Sequence, residues 1–337
     1  MKFYLVAIIT ALFSFVAPAT QCIHPGELWV DNEGKHIQAH GGGITKLNDT
    51  FYWFGEDRAP ENPPVLRCVS CYSSTNFTDW THRGQVLKLA NPENFETNWV
   101  LERPKVFYNK ATKKFVMYMH IDGVMPGEEF GYKLARVGVA VSDAVDGGYK
   151  YLKSFRPLGN ESRDIGQFID DDGSAYLISS DSYHGFRIYQ LSEDYLNIEK
   201  EIYAFTNLLE GGALVHYDGL YYFVGSHCTG WDANANVYAT AKSLAGPWSE
   251  FKNVAPSKAK TYGSQSTMLL KITGTKTNTV VFMGDIWKPE AIGDSRYLWM
   301  PLEIGGGNLK LPAPREWTLD TITGTVTFRN SFRGKTR

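Results

Sequence analysis

Three acidic residues recur at one kind of place in this chain, immediately before a short strand-like run. Glu102-Arg103-Pro104 precedes Lys105 to Tyr108, Arg163-Asp164 precedes Gly166 to Ile169, and Glu210-Gly211 precedes Gly212 to His216. Gln38-Ala39-His40 and Tyr262-Gly263-Ser264-Gln265 hold the same place before Gly43 to Leu47 and Ser266 to Ile272. Cleaving a glycosidic bond needs a pair of carboxyl groups, one of them kept protonated as general acid. A lone glutamate before a strand is more often a surface or ion-paired residue. Its recurrence in register is what sets Glu102 and Glu210 apart. A carboxamide such as Gln38 cannot serve as an ordinary carboxylate base.

Those residues must be carried by repeated elements. After residue 19 amphipathic helical periodicity is nearly absent, and β-branched and aromatic runs alternate with Gly, Asn, Asp and Lys turns. An apolar strand, a polar turn and an aromatic strand follow one another five times, the aromatic strands being Thr50 to Glu56, Lys114 to Met119, Ala175 to Ser180, Leu220 to Gly225 and Thr279 to Asp285. Their spacing of roughly 45 to 65 residues suits four-stranded blades. The expectation is an all-β, five-bladed β-propeller forming a single domain over residues 20–337, with the closing strands between Trp317 and Phe328. A propeller gathers its ligand site on the axis, where the inner strands begin.

Composition agrees. Aromatic residues make up 14% of the 337, Gly numbers 32 and the formal net charge is −2, a profile of a globular protein with a sizeable core. Lys and Arg are scattered singly, which excludes the basic footprint of a nucleic-acid binder. Residues 1–19 read as a signal peptide: Met1-Lys2, an apolar stretch from Phe3 to Val16, then Ala17-Pro18-Ala19 as a cleavage site. Secretion is therefore expected, and no later segment could span a bilayer. Cys22, Cys68, Cys71 and Cys228 are even in number, so disulfides are expected, either within Cys68–Cys71 or with Cys22 and Cys228. Sequons at Asn48, Asn76 and Asn160 suit a secreted glycoprotein.

Other chemistries lack their partners. His40-Gly41-Gly42-Gly43 resembles an esterase oxyanion loop, but no G-x-S-x-G elbow accompanies it. Asp170-Asp171-Asp172-Gly173 lacks EF-hand spacing and reads as a turn. The histidines show no metal-ligand spacing, so no metal and no cofactor are expected. Trp53, Trp231 and Trp287 could stack on sugars, although core packing is the simpler reading of each.

The ordered set His36 to Gly43, Phe51 to Glu56, Leu101 to Val106, Ser162 to Asp164, Leu209 to Gly211 and Gly263 to Gln265 resembles glycoside hydrolase family 43, in its exo-β-1,3-galactanase branch, across essentially the whole chain after residue 19. The resemblance implies inverting release of galactose from the end of β-1,3-galactan. It makes Glu210 the general acid, Glu102 the second acidic group, and Gln265 the holder of the attacking water. Glu56, Gln38, Asp164, Tyr132 and Thr229 would bind substrate. Most family members carry Asp where this chain has Gln38, a loss shared by the galactan branch. An arabinofuranosidase or β-xylosidase keeps that Asp, whereas a carbohydrate-binding propeller without catalysis would not need it. The expected partner is a galactan or arabinogalactan polysaccharide, met by a monomer without nucleic acid or membrane.

Overall fold

In the computed structural model, residues 22–95, 99–124, 127 and 133–329 are described. The signal segment 1–19 and Tyr132 lie outside them. Four antiparallel sheets of four strands and one of three make five blades in chain order. Their inner strands are His40–Leu47, Val100–Asn109, Ile165–Ile169, Leu209–Tyr217 and Gln265–Thr273, each paired with the aromatic strand that follows it. Alternation explains the pairing, since these strands present apolar side chains to both neighbouring blades and are buried nearly throughout. The turns are built as their residues require. Asp218-Gly219 joins Tyr217 to Leu220 with φ of 52° and 71°, both positive as a two-residue type I′ hairpin demands.

Neighbouring blades meet at the axis through side chains bonded to backbone. Thr45 Oγ1 donates to the Val106 carbonyl at 2.6 Å, and Gln167 accepts from Val106 N and donates to the Ile44 carbonyl. Asp164 accepts the Gly211 N–H at 2.9 Å, Ser266 Oγ donates to the Gly211 carbonyl at 2.6 Å, and Thr267 Oγ1 closes the ring on the Gly42 carbonyl. Lys105, fully buried, fills the centre and donates to the Gly41 carbonyl at 2.6 Å. A Cβ at Gly43 would come within 3.0 Å of both Lys105 and Gln167, so this glycine lets the axis close.

A second device recurs at the site end of the inner strands. One extra residue bulges out after His40, Glu102 and Glu210, and again after Ser266. In the first three the following residue has left-handed backbone: Gly41 (φ 57°), Arg103 (φ 52°) and Gly211 (φ 60°). Bulges of this kind kink the strand and re-aim its side chains. The C-terminal hairpin, Trp317–Leu319 with Val326–Phe328, bridges to Ile23 and donates from the Trp317 indole to the Trp299 carbonyl at 2.9 Å. Among the described residues no helix is long and apolar enough to cross a membrane.

All four cysteines are free thiols, contrary to the expected pairing. Cys68 and Cys71 lie three residues apart on the regular strand Leu66–Ser74, so they point to opposite faces and cannot bridge. Trp53, expected either to pack or to stack on sugar, is 1% exposed and meets Trp29, Trp80, Tyr297 and Trp299 at ring distances of 4.5–6.1 Å. Trp53→Ala is expected to remove about 3–5 kcal/mol of stability. Urea unfolding should show this as a lower midpoint at unchanged slope.

Candidate active site

The bulged ends of the inner strands surround a cavity of about 310 Å³ on the axis. Every blade contributes: Glu56 and Arg58 from the first, Glu102, Arg103 and His120 from the second, Arg163 and Asp164 from the third, Glu210 from the fourth, and Gln265 and Trp287 from the fifth. Trp231, on the loop after the second strand of blade four, forms part of the wall and is 51% exposed.

The carboxyl groups have different surroundings. Burial, reinforced by the Asp164 charge, pushes Glu210 up to about 8, against the opposing pull of Arg103 and of the Gln265 amide. Glu102 resists the same burial because His120 lies 3.1 Å away and Arg58 3.4 Å away, so its carboxyl is held down at about 2. His120 loses proton affinity to burial but gains more from Asp122 at 3.2 Å and from Glu102, which raise it to about 9. At neutral pH Glu210 therefore keeps its proton while Glu102 is firmly ionised, and burial also pushes the Glu56 carboxyl upward against the pull of Arg58. Asp164 accepts from Arg103 Nη2 at 3.0 Å and from the Gly211 amide. Glu56, 3% exposed, accepts from Arg58 Nε at 2.7 Å and the Arg103 N–H at 2.8 Å.

Gln265 stands between the acid and the cation. Its Nε2 donates to Glu210 Oε1 at 2.9 Å, while its Oε1 accepts from Trp287 Nε1 at 2.9 Å and from Arg103. Arg103 also donates to the Ser266 carbonyl at 2.9 Å and lies 5.9 Å from the Trp287 ring centroid.

Glu210, Gln265, Glu102, Asp164 and Glu56 thus come together. Gln38 does not join them: it is buried outside the cavity wall, its Nε2 donating to the Gly293 carbonyl at 2.8 Å. Thr229 is turned into its own loop, with Oγ1 donating to the Asp232 carbonyl at 2.5 Å and accepting from Asn234. Asp170 and Asp171 form a turn at the far end of the axis, where they lie near His216 on the rim of a separate cavity of about 830 Å³. The cations and His120 escaped sequence reasoning. One signal was available for Arg103, which occupies the place filled by Gly41 and Gly211 in the equivalent bulges.

The profile of the glycosyl hydrolases family 43 matches residues 38–284. Among solved structures, the exo-β-1,3-galactanase of Phanerochaete chrysosporium with galactose is 36% identical, with 92% of this chain and 71% of that one covered and a TM-score of 0.85. The same enzyme has been crystallised with β-1,3-galactotriose. The exo-β-1,3-galactanase of Clostridium thermocellum is 35% identical, covering 91% of this chain and 68% of its own at a TM-score of 0.82. A β-xylosidase at 17% identity and a TM-score of 0.60 shares the fold. Comparison with curated protein sequences returns no match.

A titration prediction follows from His120. Its folded value of about 9 exceeds the ordinary 6.5, so its stabilisation is complete below about 6.5 and is lost as pH rises through about 9. Relative to His120→Gln, the native protein is expected to melt roughly 5 °C higher near pH ~6, the gap shrinking towards pH ~10. Calorimetric melting across that range checks it, and a gap that widened with pH would refute the assignment.

Proposed function

The chain belongs to the glycosyl hydrolases family 43, and from that premise we propose that it hydrolyses β-1,3-galactan from the chain end, releasing galactose with inversion. The observation that carries this reading is Glu210, a carboxyl held protonated to about 8 beside the Gln265 amide in a cavity of sugar size. Protonated, Glu210 delivers its proton to the leaving glycosidic oxygen. The second N–H of Gln265 Nε2 is left to hold the attacking water. Ionised Glu102 opposes loss of the Glu210 proton, because a second negative charge nearby is unfavourable. Asp164 and Glu56 hold hydroxyls of the terminal sugar, and the ring faces of Trp231 and Trp287 suit the C–H side of a pyranose.

Chain-end action is supported by the closed axis, where Arg103 and Lys105, 4% and 0% exposed, stand beneath the cavity. Identities of 35–36% to two exo-β-1,3-galactanases favour galactan over arabinan or xylan, for which the structural likeness reaches only the fold. A binding propeller without catalysis has no need of a carboxyl with so displaced a titration. The five blades of one chain close around the cavity, and the reading takes the protein to act as a monomer.

The reading extends to secretion, supported by the leader-like residues 1–19 and by sequon asparagines Asn48 and Asn76 on exposed turns. N-terminal sequencing of the protein from culture medium is expected to begin near Thr20. A retained leader in the cell pellet would count against it.

The functional test is incubation with β-1,3-galactan, arabinan and xylan. Galactose release from the first is expected, with Glu210→Gln lowering kcat by about 10²–10⁴-fold. Because Glu210 acts in its protonated form, kcat/KM should fall as pH rises through about 8. Binding without product on all three polymers would instead identify a lectin-like propeller.

A further inference from the structure

The partners of the Gln265 side chain fix which way its amide faces. Oxygen and nitrogen of a carboxamide have similar shapes, so orientation follows from the hydrogen-bond network. Here the network is one-sided. Trp287 Nε1, at 2.9 Å, and the Arg103 guanidinium can only donate, so the atom facing them must be the oxygen. Both lone-pair directions of Oε1 are then taken, and Nε2 is turned onto Glu210 Oε1 at 2.9 Å.

Building on the hydrolase reading, we infer that Trp287 is a positioning residue: together with Arg103 it clamps the Gln265 carboxamide oxygen, so that Gln265 meets both the acid and the attacking water as a hydrogen-bond donor. Arg103 alone would hold the oxygen side but leave the amide free to rock about its remaining bond. The indole adds a second, rigid donor. Its own ring is held in place, with the Trp231 ring edge-on at 5.6 Å, the buried His40 ring at 6.1 Å and the Arg103 guanidinium at 5.9 Å. Such a clamp explains how the Nε2 bond to Glu210 persists where a loose amide would turn away.

The clamp also bears on the acid. Donation from Gln265 stabilises the Glu210 carboxylate, against Asp164 and Glu102, which disfavour it, and alongside Arg103, which favours it. Among the described residues, the other titratable and charged groups lining the cavity are Cys228, Arg163, Glu56, Arg58 and His120. Loosening the amide withdraws one stabilising donor, so Glu210 must hold its proton to higher pH.

Trp287→Phe keeps the ring and removes the N–H. In this variant, ¹³C NMR titration of the Glu210 carboxyl is expected to move upward by about half a unit or more. On β-1,3-galactotriose, kcat should fall about tenfold with KM within about twofold, and the alkaline limb of the rate profile should move up with the titration. A packing role alone would lower activity and melting temperature without moving the titration. An unmoved Glu210 titration overturns the clamp whatever the activity. If the native enzyme releases no galactose while the titration still shifts, the hydrolase reading fails and the clamp stands. Should the variant not fold, Gln265→Leu examines the same bond from its other end. The indole N–H of Trp287 is expected to exchange with solvent at least tenfold faster than in the native protein, and an unchanged rate would overturn the proposal.

Discussion

The site is organised around one buried cation. Arg103 is 4% exposed, and it is bonded to blade one through its backbone N–H and Glu56, to blade three through Asp164 and to blade five through Gln265 and the Ser266 carbonyl. Burying an unpaired charge would cost several kcal/mol or more, which the Asp164 carboxylate and the neutral acceptors around the guanidinium offset. The bonds also do mechanical work, since the inner strands of different blades share no backbone ladder and side chains must register them. Lys105 and Thr267 hold the blade-one carbonyls of Gly41 and Gly42 in the same manner deeper in the axis.

The bulges explain how flat strands deliver such a cluster. The residue before each left-handed position, His40, Glu102 or Glu210, is thrown out of the ordinary alternation. Blades one and four use glycine at the left-handed position and blade two uses arginine, which adopts that backbone at a cost of about 1–2 kcal/mol. The strain persists because the side chain is held by so many partners. Identical bulges then give opposite chemistry. Glu102 faces His120 and Arg58 and is ionised, while Glu210 faces Asp164 and a neutral amide and keeps its proton. Environment, and not residue type, assigns the parts.

Much of this was legible in the sequence because propeller repeats are local. Apolar strand, polar turn and aromatic strand are written consecutively, so five blades and their inner-strand starts could be counted, and Glu102, Asp164, Glu210 and Gln265 fall where the repeat places them. What escaped depends on direction within a shared frame. The sequence frame sets Gln38 beside Glu102, but Glu102 lies inside its strand at the bulge, where blade one has His40, and the Gln38 side chain runs to Gly293, 255 positions away in sequence. Thr229 is spent on Asp232 within its loop. Trp287 and Trp231 look like any other tryptophan in a chain whose Trp53, Trp80, Trp99, Trp299 and Trp317 all fill the core. Even cysteine number misled, because strand parity separates Cys68 from Cys71.

The stopper in the axis has a further consequence. Lys105, Gln167 and Thr267 stand between the site and the larger cavity at the opposite end, and among the described residues no side chain borders both. On the chain-end reading proposed above, a galactose set free over this closed axis leaves by the mouth through which the polymer entered. The shortened chain therefore has to withdraw before the sugar does, and each cut becomes a separate encounter. On that reading hydrolysis is distributive: a population of chains shortens in step, and accumulating monosaccharide competes with fresh chain ends for the same seat.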